Sequence, residues 1–365
     1  MTLRHGLSFL PDGEPHRDSP VDYFRMLRSL SRIGDQAGMS HVKMTEHYLL
    51  SYGGYCPSPL AFLSCIAGIT DRIRLMTGCV LPAFHHPLRL ASEAAMLDAI
   101  SDGRVDLGVA RAYMPYEFEA FGIAMDTSRD RFDHTVAAME RLWREPAVTM
   151  NSPFFDLEEA TCLPRPTQPG GPPVWVAAVR SPESFVNAGQ QGRGLLITPS
   201  LGRPEQLAPL VDSYRDAYVP RFDGDRPRVL ASLPLLVAAT EQQATTIADP
   251  LLAHYLRVWT RSADHWNSAR SADYQGYTGM GYALRSYSPQ RLRTDGGAVV
   301  GSVDHVVERI EQIQQALRTD GFLWQVDFGA VDETTATANL ELFLNRVEPQ
   351  LRCWDSPLVE LGVAS

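Results

Sequence analysis

Apolar and polar positions along this chain follow two alternating rhythms. Short apolar runs over residues 5–10, 40–46, 72–80, 104–110, 174–179, 194–198, 229–239 and 322–328 predict buried β-strands. Between them, apolar residues recur at three- and four-residue spacing. Over residues 21–38, Tyr23, Phe24, Leu27, Leu30, Ile33 and Ala37 fall on one helical face, and Gly38 reads as its stop. Further helices are predicted over 59–69, 87–100, 128–143, 182–190, 204–218, 241–258, 303–317 and 334–351, with Pro87 suited to a first turn and Ser302 to an N-cap.

Eight strands alternating with helices predict an α/β fold, a (β/α)8 TIM barrel; a doubly wound open sheet is the competing arrangement. Two stretches break the rhythm. Residues 147–173, with several prolines and Phe154-Phe155, suit an insertion or hairpin after the fourth strand. Residues 261–300, rich in Ser, Arg, Gly and Tyr, hold no period and are expected to form a long mobile active-site loop after the seventh strand, or else a surface excursion. With no composition break near the middle, residues 1–365 are read as one domain.

Composition narrows the function classes. The 365 residues are 44% hydrophobic with a net charge of −10 and no basic cluster, which points away from nucleic acid and toward a small ligand. Any anion must therefore be met by local arginines or backbone amides, and because Lys43 is the only lysine nearly all the positive charge is arginine. Five widely spaced cysteines without a CxxC pair indicate neither disulfides nor a zinc site. No run suits a secretory signal or a membrane span, and a cytoplasmic location without membrane attachment is expected.

Candidate chemistry gathers at strand ends. Glu46-His47-Tyr48 closes the second strand, where an imidazole with an ordinary pKa of about 6.5 can move protons; a structural histidine is the alternative. His85 and His86 are adjacent on an extended stretch and point opposite ways, so paired metal ligation is not expected. Arg111 ends the fourth strand, placed either for a phosphate or for a structural ion pair. Ser181 and Ser184 open the helix after the fifth strand, where hydroxyls and free N–H groups converge either as a phosphate seat or as an ordinary cap. Met114, Tyr116, Phe118 and Phe121 form an aromatic-rich loop after Arg111, suited to a pocket wall or a satellite core. Glycine-rich dinucleotide, Walker and nucleophile-elbow motifs are absent.

Taken in order, Thr45-Glu46-His47-Tyr48, Met76 to Pro82 with His86-Pro87 and Arg89, Leu97-Asp98 with Ser101 to Arg104, Gly108 to Arg111, Ala177 to Ser184, and Asp327-Phe328-Gly329 resemble the bacterial luciferase-like, flavin-dependent monooxygenases. The resemblance covers almost the whole chain. It implies a TIM barrel with reduced FMN (FMNH2) at its C-terminal mouth, His47 as base or proton relay, and Arg111, Ser181 and Ser184 around the flavin phosphate. Tyr113 and Arg180 fall where backbone groups meet the cofactor, and Gly78-Cys79 where the family often has a non-proline cis peptide behind the flavin ring. The implied activity is two-component oxygenation. A separate NAD(P)H:flavin reductase supplies FMNH2, O2 adds at flavin C4a, and the peroxyflavin oxygenates a small organic substrate. A homodimer is implied as well. F420-dependent hydride transfer on the same scaffold, or flavin binding without turnover, are the other readings. Ala110 stands where luciferase has a reactive cysteine and Ala112 where the family has a glycine, and Ser92 precedes a displaced acid, Glu93; these departures imply a relative that does not emit light.

Overall fold

The computed structural model describes residues 3–200 and 203–351. Eleven strands form: β1 (Arg4–Phe9), β2 (His41–Met44), β3 (Arg74–Thr77), β4 (Val105–Val109), β5 (Val148–Asn151), β6 (Asp156–Ala160), β7 (Val174–Ala177), β8 (Gly194–Ile197), β9 (Val229–Ala238), β10 (Val299–Ser302) and β11 (Gly321–Gln325). Eight of them pair in parallel in the closed order β1-β2-β3-β4-β7-β8-β9-β11. His5 opposite Phe322 joins the last strand to the first, and Leu196 opposite Leu230 completes the circuit between β8 and β9. The chain is therefore a TIM barrel rather than an open sheet.

The two-residue period of each strand divides its side chains between two cores. Val42, Met44, Leu75, Leu107, Val109 and Leu195 face the surrounding helices, whereas Met76, Trp175, Leu196, Leu230 and Leu323 fill the barrel. Below them a polar plug closes the end formed by the strand N-termini. Asp106 accepts from Arg74 Nε at 2.5 Å, His41 Nε2 at 3.2 Å and Trp175 Nε1 at 3.2 Å. Burial opposes ionisation of Asp106, but His41 and Arg74 prevail and hold its carboxyl well below the usual range.

Helix ends follow the sequence closely. Ser19, Ser58, Thr240, Ser302 and Asp332 each accept a first-turn N–H, and Pro87 opens the helix Pro87–Ile100. The β5–β6 pair is an antiparallel hairpin within residues 147–173. Between the helix Glu241–Ala263 and the helix Val303–Leu317, the chain departs from the expected open loop. It forms short helices at Asp264–Asn267, Ala272–Tyr277, Met280–Arg285 and Pro289–Asp295, and then β10. β10 pairs with Leu235–Ala238, so the ten-residue β9 serves the barrel with its first half and this outer strand with its second. Among the described residues, no helix is long and apolar enough to cross a membrane.

Candidate active site

At the C-terminal ends of the barrel strands lies a cavity of about 780 Å³, within the usual range for small-ligand sites. His47, Gly78, Cys79, Arg111, Tyr113, Arg180, Ser181 and Ser184 all line it. Residues spread over more than 130 positions thus meet at one mouth because parallel strands deliver each C-terminal end to the same side.

His47 follows β2 and is buried. Its Nδ1 lies 3.0 Å from Glu117 Oε1, which also accepts the Tyr48 N–H at 2.9 Å. Glu117 is fully buried and comes from the short helix Pro115–Ala120, formed where a loop is expected from the sequence. A carboxylate at Nδ1 selects the tautomer with the proton on that nitrogen and leaves Nε2 as the basic position. Tyr52 and Tyr113 flank the imidazole at ring-centroid distances of 5.2 and 5.9 Å. Gly53 closes the remaining side. Its φ of +76° suits glycine, and a Cβ there would come 2.6 Å from the His47 ring.

A second carboxylate, Glu46, orders the adjacent turn. It accepts Tyr48 O–H at 2.6 Å, His85 Nε2–H at 2.9 Å and Leu81 N–H at 3.2 Å. Burial works to lower the His85 pKa, yet the hydrogen bond and charge of Glu46 prevail and raise it. Burial first, and then the same acid, drives the Tyr48 phenol upward and keeps it a donor. His85 is thereby tied to a carboxylate, while His86 begins the helix Pro87–Ile100 without a side-chain cap.

The Gly78–Cys79 peptide is cis. It hangs on β2 through Gly78 N–H to Met44 O at 2.6 Å, Thr45 Oγ1–H to Gly78 O at 2.8 Å and Glu46 N–H to Cys79 O at 3.3 Å. Burial pushes the Cys79 thiol up to about 12, so it stays neutral and unreactive near pH 7.

On the other side of the cavity, Arg111 and Arg180 meet the short-helix segment. Arg111 Nη2 donates to Asp273 O at 3.2 Å and its guanidinium lies 4.5 Å from the Tyr274 ring centroid. Arg180 Nη1 donates to Gly276 O at 3.0 Å. The segment is pinned further by Trp266 Nε1–H to Tyr113 O at 3.0 Å and by Tyr274, whose hydroxyl bonds Ala112 O and Ser128 Oγ. Ser181 occupies the N-cap position of the helix Pro182–Gln190 but makes no capping hydrogen bond; Pro182 has no N–H and Ser184 N–H donates to Ser181 O at 3.0 Å, so the Ser181 hydroxyl is the main group this helix start offers a ligand. Arg111, Arg180, Ser181 and Ser184 line the same cavity, and guanidinium and hydroxyl groups together make a donor set suited to a phosphate monoester.

Glu117, through His47, and Lys43, in the cavity lining, also belong to the site; from the sequence Glu117 goes unnamed and Lys43 is noted only as the single lysine. An acid set among Tyr116, Phe118 and Phe121 was the available signal for Glu117. For Lys43 it was a lone cation in register with His41, on the inward face of a strand whose Val42 and Met44 face the helices.

The chain matches the luciferase-like monooxygenase family over residues 3–320. It is 29% identical over 324 residues to the oxygenase component of the flavin-dependent trigonelline monooxygenase of Acinetobacter baylyi, covering 88% of each chain. It is 26% identical over 279 residues to the F420-dependent glucose-6-phosphate dehydrogenase of Kineococcus radiotolerans, covering 68% of this chain and 82% of that one. Among solved structures it superposes on the monooxygenase RslO1 from Streptomyces bottropensis with a TM-score of 0.81 and 33% identity, over 95% of this chain and 99% of that one. With a family match over residues 3–320 and a barrel that superposes on a monooxygenase of known structure over 95% of its length, the chain belongs to the luciferase-like monooxygenase family and is an enzyme of the flavin-dependent oxidoreductase class.

Proposed function

We propose that this protein is the oxygenase component of a two-component monooxygenase that uses FMNH2 and O2 to oxygenate a small organic substrate. The observation that carries this reading is the pairing of a carboxylate-held imidazole, His47 with Glu117, and a phosphate-suited donor set on one cavity. The residues fit FMN. Arg111, Arg180, Ser181 and Ser184 would hold its phosphate, and the apolar side chains of Met76, Cys79 and Leu196 line the barrel interior next to the Gly78–Cys79 peptide. When bound in its reduced form, FMN supplies the two electrons that let O2 give one oxygen atom to the substrate and the other to water.

The chain's own residues do the rest. His47 accepts or returns a proton at Nε2 while Glu117 stabilises the charged ring, as a buried carboxylate beside an imidazole does. The short-helix segment, fastened to Arg111, Arg180, Tyr113 and Ala112, covers the site and keeps water from the reacting groups. Tyr52, Tyr255 and Trp259 wall the cavity beside His47 and favour a flat, ring-containing substrate. A separate NAD(P)H:flavin reductase provides FMNH2, in keeping with the relative named as an oxygenase component.

The test compares reduced FMN with reduced F420 as ligands, then supplies ¹⁸O2 and a panel of aromatic substrates. The expected result is binding of FMNH2 and one ¹⁸O atom in the product. Preferential binding of F420, with hydride transfer and no ¹⁸O incorporation, would overturn the proposal.

A further inference from the structure

The chain's only lysine is buried inside the barrel without an acidic partner. Lys43 shares the inward face of β2 with His41, and its Nζ donates to Ser232 Oγ on β9 at 2.8 Å, three strands away. Among the described residues no carboxylate oxygen lies within 4.0 Å of Nζ. Two acidic groups are placed where their charged forms would favour the ammonium. Cys79 is neutral because burial pushes its thiol up to about 12, and Asp327, pushed up to about 7 by burial, takes Leu10 N–H and Tyr23 O–H on its Oδ2 and makes no ion pair with Nζ.

Gly78 sits directly on the lysine stem. A Cβ there would fall 2.2, 2.3 and 2.7 Å from Lys43 Cγ, Cδ and Cε, so glycine is what allows the Gly78–Cys79 peptide and the lysine to share this place. Lys43, Ser232, Ser8 and Gln325 line the same cavity as His47 and Arg111. Gln325 is buried too, and its Nε2 has no hydrogen-bond partner. A buried cation and a buried amide donor, both short of acceptors and both facing one cavity, are costly unless a ligand brings the missing negative charge. Burial lowers the ammonium pKa to about 8, which leaves it largely protonated at neutral pH.

We propose that Lys43, steadied by Ser232 and assisted by Gln325, is the counter-charge for the anionic form of the reduced flavin. This rests on the reading of the cavity as a reduced-FMN site. A reduced flavin releases a ring N–H proton to solvent near neutral pH, and the resulting charge spreads over the pyrimidine ring. A fixed ammonium favours that anion and gains little from the neutral oxidised ring, so Lys43 discriminates between the two redox states.

The experiment titrates the absorbance of anaerobic, protein-bound reduced FMN against pH in the full-length wild type and in Lys43→Met, and measures the dissociation constants of oxidised and reduced FMN for both. Lys43→Met is expected to raise the ionisation pKa of the bound flavin by about one unit, and by linkage to cut the preference for reduced over oxidised FMN about tenfold. Lys43→Gln, which keeps a polar end for Ser232, is expected to do the same and serves as the second variant should Lys43→Met fold poorly. Unchanged flavin ionisation in the variants, or a loss confined to the affinity for an anionic substrate, would overturn the proposal. A wild-type protein that binds no reduced FMN would instead overturn the reading of the cavity on which it rests.

Discussion

Glu117 Oε1 stands 3.0 Å from His47 Nδ1 and also holds the N–H of Tyr48, so one buried carboxylate fixes both the imidazole and the backbone that carries it. The arrangement separates two effects that a histidine substitution alone would merge. His47→Ala removes the group assigned to proton transfer and is expected to lower turnover by roughly 10²-fold or more while FMN affinity stays within a few-fold. Glu117→Gln keeps an oxygen for both N–H groups but removes the charge. It is expected to lower turnover by about tenfold, because the charge that develops on the ring during proton transfer loses its compensating neighbour. Steady-state rates measured across pH beside FMN titrations check both, and turnover unchanged in His47→Ala would remove the assigned role.

Arg111 faces the segment now and is assigned to the phosphate when the cofactor binds. A charge-assisted hydrogen bond is worth about 1.5–3 kcal/mol, so Arg111→Ala should weaken FMN binding roughly 10- to 100-fold. Riboflavin, which lacks the phosphate, should lose much less. Titrating the variant with both flavins decides the matter, since equal losses would mean that Arg111 does not read the phosphate.

How much of this was legible beforehand follows from the length of the signals. The eight barrel strands are readable because each apolar run is flanked by a helix of two turns or more, and that alternation admits few topologies. His47, Arg111 and Ser181 are readable because a strand end places them whatever the details of packing. The helices at Ala272–Tyr277 and Met280–Arg285 span six residues each, too few for a helical period to rise above composition, and β10 depends on pairing with a strand about sixty residues earlier. Glu117 shows the same limit at the site itself. Its helix has six residues, and its partner His47 lies seventy positions away, so only the closed barrel brings them together.

The segment over the cavity is fastened by a few identifiable bonds, which makes its closure testable. The Tyr274 hydroxyl reaches Ala112 O and Ser128 Oγ, both on the barrel side. Tyr274→Phe keeps the ring beside Arg111 but removes those bonds, at a cost of about 1 kcal/mol. Hydrogen exchange over residues 271–285 is expected to quicken several-fold, while exchange in β1–β4 stays as in the wild type. If exchange quickened equally in the barrel strands, Tyr274 would be supporting the whole fold rather than the cover.

The His85–Glu46 contact gives a pH-dependent stability whose sign can be worked out. The folded-state pKa of His85 is raised above its ordinary 6.5: burial alone would lower it, but the hydrogen bond and charge of Glu46 outweigh that effect. A histidine that binds its proton more tightly when folded adds stability that is fully present below the unfolded-state pKa. That stability fades as pH rises through the folded-state value. Compared with His85→Gln, the wild type should therefore have its greatest advantage below the ordinary histidine pKa of about 6.5 and lose it as pH rises through the folded-state value, as followed by urea unfolding at a series of pH values from acid to alkaline. Gln retains a donor for Glu46, so the neutral hydrogen bond largely cancels in the comparison and the pH-dependent difference reports the charge. A stability difference that stayed flat across this range would mean that His85 is neutral in the folded protein, and that Glu46 is held by Tyr48 and Leu81 without help from a cation.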